Sequence, residues 1–190
     1  MERVKAYVDG FNLYHGLKQK HGRRYLWLDL EALAKRLIKP SQQLVAVDYF
    51  TARVRNQTTS ERRQATYLDA LSAHSPLVDV VEGRFQQRTH QCRSCGNQWS
   101  SYEEKETDVS IAVKLVEDGV AQLFDTALLI SGDSDMCPAV RSLRRVCPGK
   151  RVIAVFPPKR HSSELGRLAD GVLRISDANI RQSQLPASVV

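Results

Sequence analysis

The sequence predicts an α/β fold, a three-layer α/β/α sandwich with a mostly parallel central sheet. Apolar runs of strand length alternate along the chain with segments of helical spacing, and that alternation is the signature of helices laid on both faces of a parallel sheet. Several of the helical segments carry a single apolar stripe, as an element with one buried face requires. Length and composition agree: 190 residues, 42% hydrophobic and 26% charged, bury enough apolar surface for one core. The expected organisation is a single domain over residues 1–182, interrupted by an insertion at 88–103, with 183–190 as a C-terminal tail.

Val4 to Val8 reads as the first strand, and Asn12, Leu13 and Tyr14 open a helix after it. Leu30, Leu33, Ala34 and Leu37 fall at i, i+3, i+4, i+7, the mark of a helix with one buried face, which Pro40 ends. Leu44 to Val54 is rich in β-branched and aromatic residues and predicts a strand; Glu61 to Ala73 is helical through Tyr67, Leu68 and Leu71; Val78 to Phe85 returns to strand character. Between Gln87 and Glu104 apolar periodicity disappears. It resumes with a stripe of Val109, Ala112, Val113 and Val116, predicting a helix buried on that face, and then the strand Ala127 to Ile130. Pro138 suits the first turn of a helix that turns Ala139, Val140, Leu143 and Val146 inward, with Gly149 closing it. Arg151 to Phe156 is a further strand, Ser163 to Leu168 a short helix, and Val172 to Ile175 a last strand. There is no internal repeat and no low-complexity tract.

The balance of 28 basic against 21 acidic residues, a net charge of +7, favours a polyanionic partner through long-range attraction and counterion release. No window approaches the roughly 18 apolar residues of a membrane helix and the N-terminus is not a signal peptide, so a cytoplasmic location without membrane association is expected. Four cysteines in a chain of this length do not make a disulfide framework.

In an open α/β sheet, ligands bind beyond the carboxyl ends of the strands. Three separated segments deliver acids to that kind of position: Asp9 ends the first strand, Asp133 and Asp135 follow the strand at Ile130, and Asp108 opens the Val109 helix. Two residues of extended chain span roughly 7 Å and put both carboxylates on one side, a spacing that can straddle hard cations. Singly, each has a plainer use. Asp108, Asp135 or Ser134 would cap helices, Asp9 before Gly10 makes a turn, and Asn12 a cap. Together, close carboxylates raise one another's pKa and resist joint ionisation unless a cation offsets the repulsion. Asp9 and Asp133 are the strongest expected ligands, with Asp108 and Asp135 direct or water-bridged and Asn12 orienting water or phosphate. On the substrate side Lys159, Arg160, Ser162 and Ser163 follow a strand and the Pro157-Pro158 break, and Arg53, Arg55, Arg62 and Arg63 could extend a path for a polyanion. No histidine stands out as a general base.

The segment HQCRSCGNQW is a separate matter. Cys92-x2-Cys95-Gly96 has the shape of a zinc knuckle, since the glycine permits the reversal that brings backbone amides to thiolate sulfur. Tetrahedral zinc wants four ligands. His90 is a candidate third; Cys137 and Cys147 fit buried core thiols better, and a degenerate knuckle or a site shared across a dimer are the alternatives. Trp99, Tyr102 and Arg93 could stack on bases, with core contact the expected use of Trp99.

YVDGFNLY, EKETDVSIAVKLVEDG, TALLISGDSD and SSELGRLAD resemble the motifs of the NYN domain, a branch of the PIN-like metal-dependent nucleases, over roughly Val4 to Ile175. The resemblance implies a PIN-like sandwich and a Mg²⁺ or Mn²⁺ site at Asp9, Asp108, Asp133 and Asp135 lined by Asn12 and Ser131. It also implies a hydrolase acting on RNA, single-stranded more than double-stranded. Asp170 matches a recurrent family acid and is expected to be structural. Met136 departs from the usual Phe or Leu, and the cysteine-bearing insertion is similar to one branch alone. The leading expectation is therefore a metal-dependent ribonuclease, active alone or with a partner and in either a monomeric or a homodimeric state. A non-catalytic RNA-binding scaffold with a structural metal and a small-substrate phosphoesterase are the alternatives.

Overall fold

The computed structural model describes residues 1–53 and 58–188, apart from the side chains of 58, 84–88 and 99–105. Arg55 and the rings of Trp99 and Tyr102 therefore lie outside the described residues. The chain runs β1 (Glu2–Asp9), α1 (Gly10–His21), α2 (Leu30–Leu37), β2 (Gln42–Ala52), α3 (Thr58–His74), β3 (Val78–Gln91), β4 (Gln98–Lys105), α4 (Thr107–Val120) and β5 (Thr126–Ile130). A 3₁₀ turn (Ser134–Met136) then leads into α5 (Cys137–Val146), followed by β6 (Arg151–Phe156), α6 (Ser163–Leu168), β7 (Gly171–Arg174) and α7 (Asp177–Gln182). The sheet order is β4-β3-β2-β1-β5-β6-β7. Every pair is parallel except β3 with β4, so the predicted mostly parallel sandwich is the architecture found.

Alternation along the central strands divides the core into two layers. Val4, Ala6, Val8, Leu128 and Ile130 face Leu13 and Leu17 of α1, Leu33 of α2 and Leu71 of α3. Tyr7, Phe50, Ala127, Leu129 and Ala154 face Ile111 and Leu115 of α4, Val140 and Leu143 of α5, and Leu165 of α6. Strands covered on both faces are buried throughout, which is why β5 is a continuous apolar run.

Several details depart from the sequence reading. The aperiodic stretch after Gln87 is a hairpin: β3 runs on to Gln91 and pairs antiparallel with β4, from Arg84 opposite Lys105 to Gln91 opposite Gln98. Its strands are mostly polar in sequence, so no apolar period announces them. Helix α4 is where expected, but of its predicted stripe Ala112 and Val116 pack on the core while the other two residues do not. Ile111, Leu115, Asp118 and Gly119 are buried, whereas Val109 and Val113 are 66% and 49% exposed. Two apolar stripes run along this helix, and spacing alone does not say which meets the sheet. Val146, expected inward, is likewise exposed. The chain beyond 182 is no loose tail at its start: Ser183 and Leu185 are buried, Gln184 bridges to Leu28, and the indole of Trp27 donates to the Pro186 carbonyl.

Candidate active site

β1 and β5 lie side by side with Val8 opposite Ile130, so the turns that follow them emerge together at the carboxyl edge of the sheet. Asp9 caps α1. Its Oδ1 accepts the Asn12 N–H at 2.9 Å and its Oδ2 accepts the Ser131 hydroxyl at 2.8 Å. That hydroxyl in turn accepts the Asp133 N–H at 3.1 Å, and the Asn12 Oδ1 accepts the Gly132 N–H at 3.0 Å. One acid and one amide thus tie together two loops 120 residues apart.

Asp9, expected as a ligand, is only 3% exposed and also holds Ser131 and, through it, the loop carrying Asp133. Asn12, expected to orient water or phosphate, uses its amide oxygen to accept the Gly132 N–H. Gly132 cannot be replaced without movement, since a Cβ there would meet the His161 nitrogen at 2.7 Å and the Arg160 carbonyl carbon at 2.8 Å.

The open acids are Asp108 and Asp135, both exposed, with Asp133 half-buried. Asp133 Oδ1 accepts the Asp135 N–H at 2.9 Å, capping the 3₁₀ turn. Asp108, one turn into α4, comes from a different element. Desolvation of its carboxyl, together with the charges of Asp133 and Asp135, pushes its pKa above the ordinary carboxylate value. The charges of Asp133 and Asp135 thus act on Asp108 from a different element. Among the described residues, however, no three His, Cys, Asp or Glu side chains stand close enough to hold an ion between them. That arrangement does not fit an all-protein cage. Mg²⁺ and Mn²⁺ are commonly held by one or two carboxylates, with the rest of the shell left to water and phosphate.

The loop after β6 packs against Gly132. The Arg160 side chain sits near both Gly16 of α1 and Gly132, and its buried Nε has no hydrogen-bond partner among the described residues. Lys159 is exposed and takes a left-handed φ of 58°. Ser162, expected to meet substrate, is instead buried and caps α6 by accepting the Leu165 N–H at 3.2 Å; Ser163 is exposed. Of the more distant basic residues, Arg53 is paired with Glu82 at 2.7 Å, while Arg62 and Arg63 lie exposed on α3. Asp170 is structural, as expected: it accepts the Val152 N–H at 2.8 Å and pairs with Arg144. Cys137 and Cys147 are buried core thiols.

Two groups escaped the sequence reading. On α1, beside Asp9, Phe11 is 54% and Tyr14 36% exposed, with the His15 ring 4.2 Å from Phe11 and 5.2 Å from Tyr14. Burial and the charges of Arg160 and Lys18 lower the His15 pKa, so the ring favours its neutral form. The second group lies under α4, where Lys5 pairs with Asp48 at 2.9 Å and with Asp118 at 2.7 Å, all three nearly inaccessible. Tyr7 donates to Asp118 at 2.8 Å and Lys114 pairs with it at 3.1 Å. The available signal was a lone charge inside an apolar central strand: Lys5 in RVKAYV and Asp48 in VAVDYF.

A family model described as the NYN domain matches residues 3–176. Among curated proteins, the chain is 27% identical to the 6-hydroxy-3-succinoylpyridine 3-monooxygenase HspA of Pseudomonas putida, over 75% of this chain and 55% of that protein. The chain thus spans about half the length of the curated relative it matches. A solved structure of a protein of unknown function from Vibrio parahaemolyticus has the same fold, with a TM-score of 0.63 and 20% identity, covering 93% of this chain and 94% of that one.

Proposed function

The chain belongs to the NYN domain family, and from that premise we propose that it is a metal-dependent nuclease that hydrolyses RNA phosphodiester bonds at the carboxyl edge of its sheet. The observation that carries this reading is that α4, which carries Asp108, meets the 3₁₀ turn that carries Asp135 and follows Asp133, where burial of the Asp108 carboxyl and the charges of the other two acids raise its pKa. Such repulsion is relieved by a divalent cation. One or two of Asp108, Asp133 and Asp135 would hold it, with Asp9 beside them fixing Ser131 and, through it, the Asp133 backbone. When bound, Mg²⁺ or Mn²⁺ neutralises nonbridging phosphate oxygens and acidifies water.

The chain's own residues supply the rest. Arg160 offers a guanidinium whose Nε is unspent, and guanidinium matches phosphate geometry. Phe11 and Tyr14 present aromatic faces on which the bases of a single strand can stack. Acids and a guanidinium beside the Gly132 loop suit a substrate that is itself anionic and arrives with its counter-ion.

A second reading comes from the monooxygenase relative. In that case the same edge would bind a pyridine substrate, one oxygen atom of O₂ entering the substrate and the other leaving as water at the expense of an external two-electron reductant. One experiment separates the readings. Purified protein is incubated with labelled single-stranded RNA, DNA and simple phosphate esters in Mn²⁺ or EDTA, beside Asp133→Asn and Asp108→Asn. In parallel, oxygen uptake is followed with 6-hydroxy-3-succinoylpyridine and reductant. Manganese-dependent RNA cleavage that both variants lose is the expected result. Cleavage surviving in both variants places the activity elsewhere, and binding without cleavage favours a scaffold. Cleavage of simple esters alone favours a phosphoesterase, and substrate-dependent oxygen uptake favours the second reading.

A further inference from the structure

The hairpin tip carries a feature that the RNA-cutting edge does not use. Between β3 and β4 the chain reverses through Cys92 to Asn97. Gly96 N–H donates to the Cys92 carbonyl at 2.9 Å and Cys92 N–H to the Asn97 carbonyl at 2.8 Å. Gly96 takes a φ of +71°, the left-handed conformation that favours glycine. Cys92 and Cys95 thus stand on one tight reversal of the chain, the shape of a zinc knuckle. Both cysteines are free, and Cys95 is exposed.

The pair is half of what tetrahedral zinc requires. Within residues 88–102 the side chains able to ligate zinc are His90, Cys92 and Cys95. No such group of three is brought together among the described residues, and His90 sits back on β3 opposite Trp99. The next acids on the hairpin, Glu103 and Glu104, pair with Gln86 and Phe85. Five strand residues from Gln98 to Glu103 put them roughly 17 Å from the tip. An identical pair brought up by a two-fold axis closes the shell without any further residue, because an isologous contact presents the same knuckle twice.

We propose that Cys92 and Cys95 form a zinc half-site that is completed by the same two cysteines of a second copy, so that one Zn²⁺ with four thiolates joins two hairpin tips. Arg93, exposed between the two cysteines of each copy, offsets the net negative charge of such a centre. The site is independent of the acids at the sheet edge, so its test stands whether or not RNA is cleaved.

The full chain, reduced and stripped with chelator, is titrated with Zn²⁺ while mass in solution and bound metal are measured. The expected result is one zinc per two chains and a doubling of mass on zinc addition, reversed by EDTA. Co²⁺ in place of zinc should give the intense thiolate charge-transfer and visible bands of a tetrahedral all-sulfur site. Cys92→Ser with Cys95→Ser should stay monomeric with zinc while keeping the wild-type circular dichroism, since neither thiol contributes to the core. One zinc per chain at unchanged mass, a dimer indifferent to EDTA, or cobalt spectra without thiolate bands would each overturn the proposal.

Discussion

At the scale of single residues, the site rests on side chains that never need to touch substrate. Asp9 is the clearest, because its two oxygens join the start of α1 to the Ser131 hydroxyl of the neighbouring strand end. Asp9→Ala removes a helix cap and a buried hydrogen bond, and should cost about 2–3 kcal/mol in a denaturant titration. Asp9→Asn keeps an oxygen to accept the Asn12 N–H and should recover more than half of that loss. If the two variants are equally destabilised, the cap is not what Asp9 contributes. Asp125 gives a pH prediction. The Arg3 guanidinium and backbone N–H hold its carboxyl well below the usual range. A carboxylate depressed in the folded state adds stability above its unfolded pKa and loses it as pH falls through the folded one. Stability should therefore decline below about pH 4, and Asp125→Asn should flatten that acid limb while lowering stability at neutral pH; thermal melts across pH 2–7 check both.

Among elements, α4 sets the position of Asp108, and its rotation is held by two kinds of contact. Ile111 and Leu115 pack on Tyr7 and Phe50, while Lys5 ties Asp118 near its far end to β1 and β2. Ile111→Ala should cost about 2–5 kcal/mol by leaving a cavity, and Val109→Ala within about 0.5, because Val109 faces solvent. The reverse order in paired unfolding curves would mean that the valine stripe is the buried one after all. Lys5→Met leaves Asp48 and Asp118 as buried carboxylates without their shared cation, a change expected to destabilise by about 3–5 kcal/mol. Double replacement with Asp48→Leu should recover part of it, and a purely additive double mutant would argue that the ion pairs are uncoupled.

For the molecule as a whole, the excess of +7 charges is a statement about association, not about fold. If RNA runs across the sheet edge past Arg160 and toward the exposed Arg62 and Arg63, its affinity should fall steeply with salt, as counterion release requires. A slope of log K against log salt of about −0.7 per phosphate contacted is the expectation for a single strand; a flat salt dependence would remove the basic path.

The sequence determined the class of fold, the order of nearly all strands and helices, and the fact that acids from distant segments stop at one edge of the sheet, because periodicity and punctuation are local properties of the chain. It left α7 unseen and found no apolar period in the β3–β4 hairpin, whose strands are mostly polar in sequence. It named Asp9 as a ligand without seeing the hydrogen bonds by which it joins two loops, and it read one stripe of α4 as buried where a second lay beside it. Only tertiary structure decided which stripe of α4 meets Tyr7, that Lys5 and Asp48 are buried together, and that Asn12 and Ser131 are spent on holding loops 120 residues away. Each of those depends on which partner occupies the space opposite a side chain, and that is fixed when the layers pack, not when the elements form.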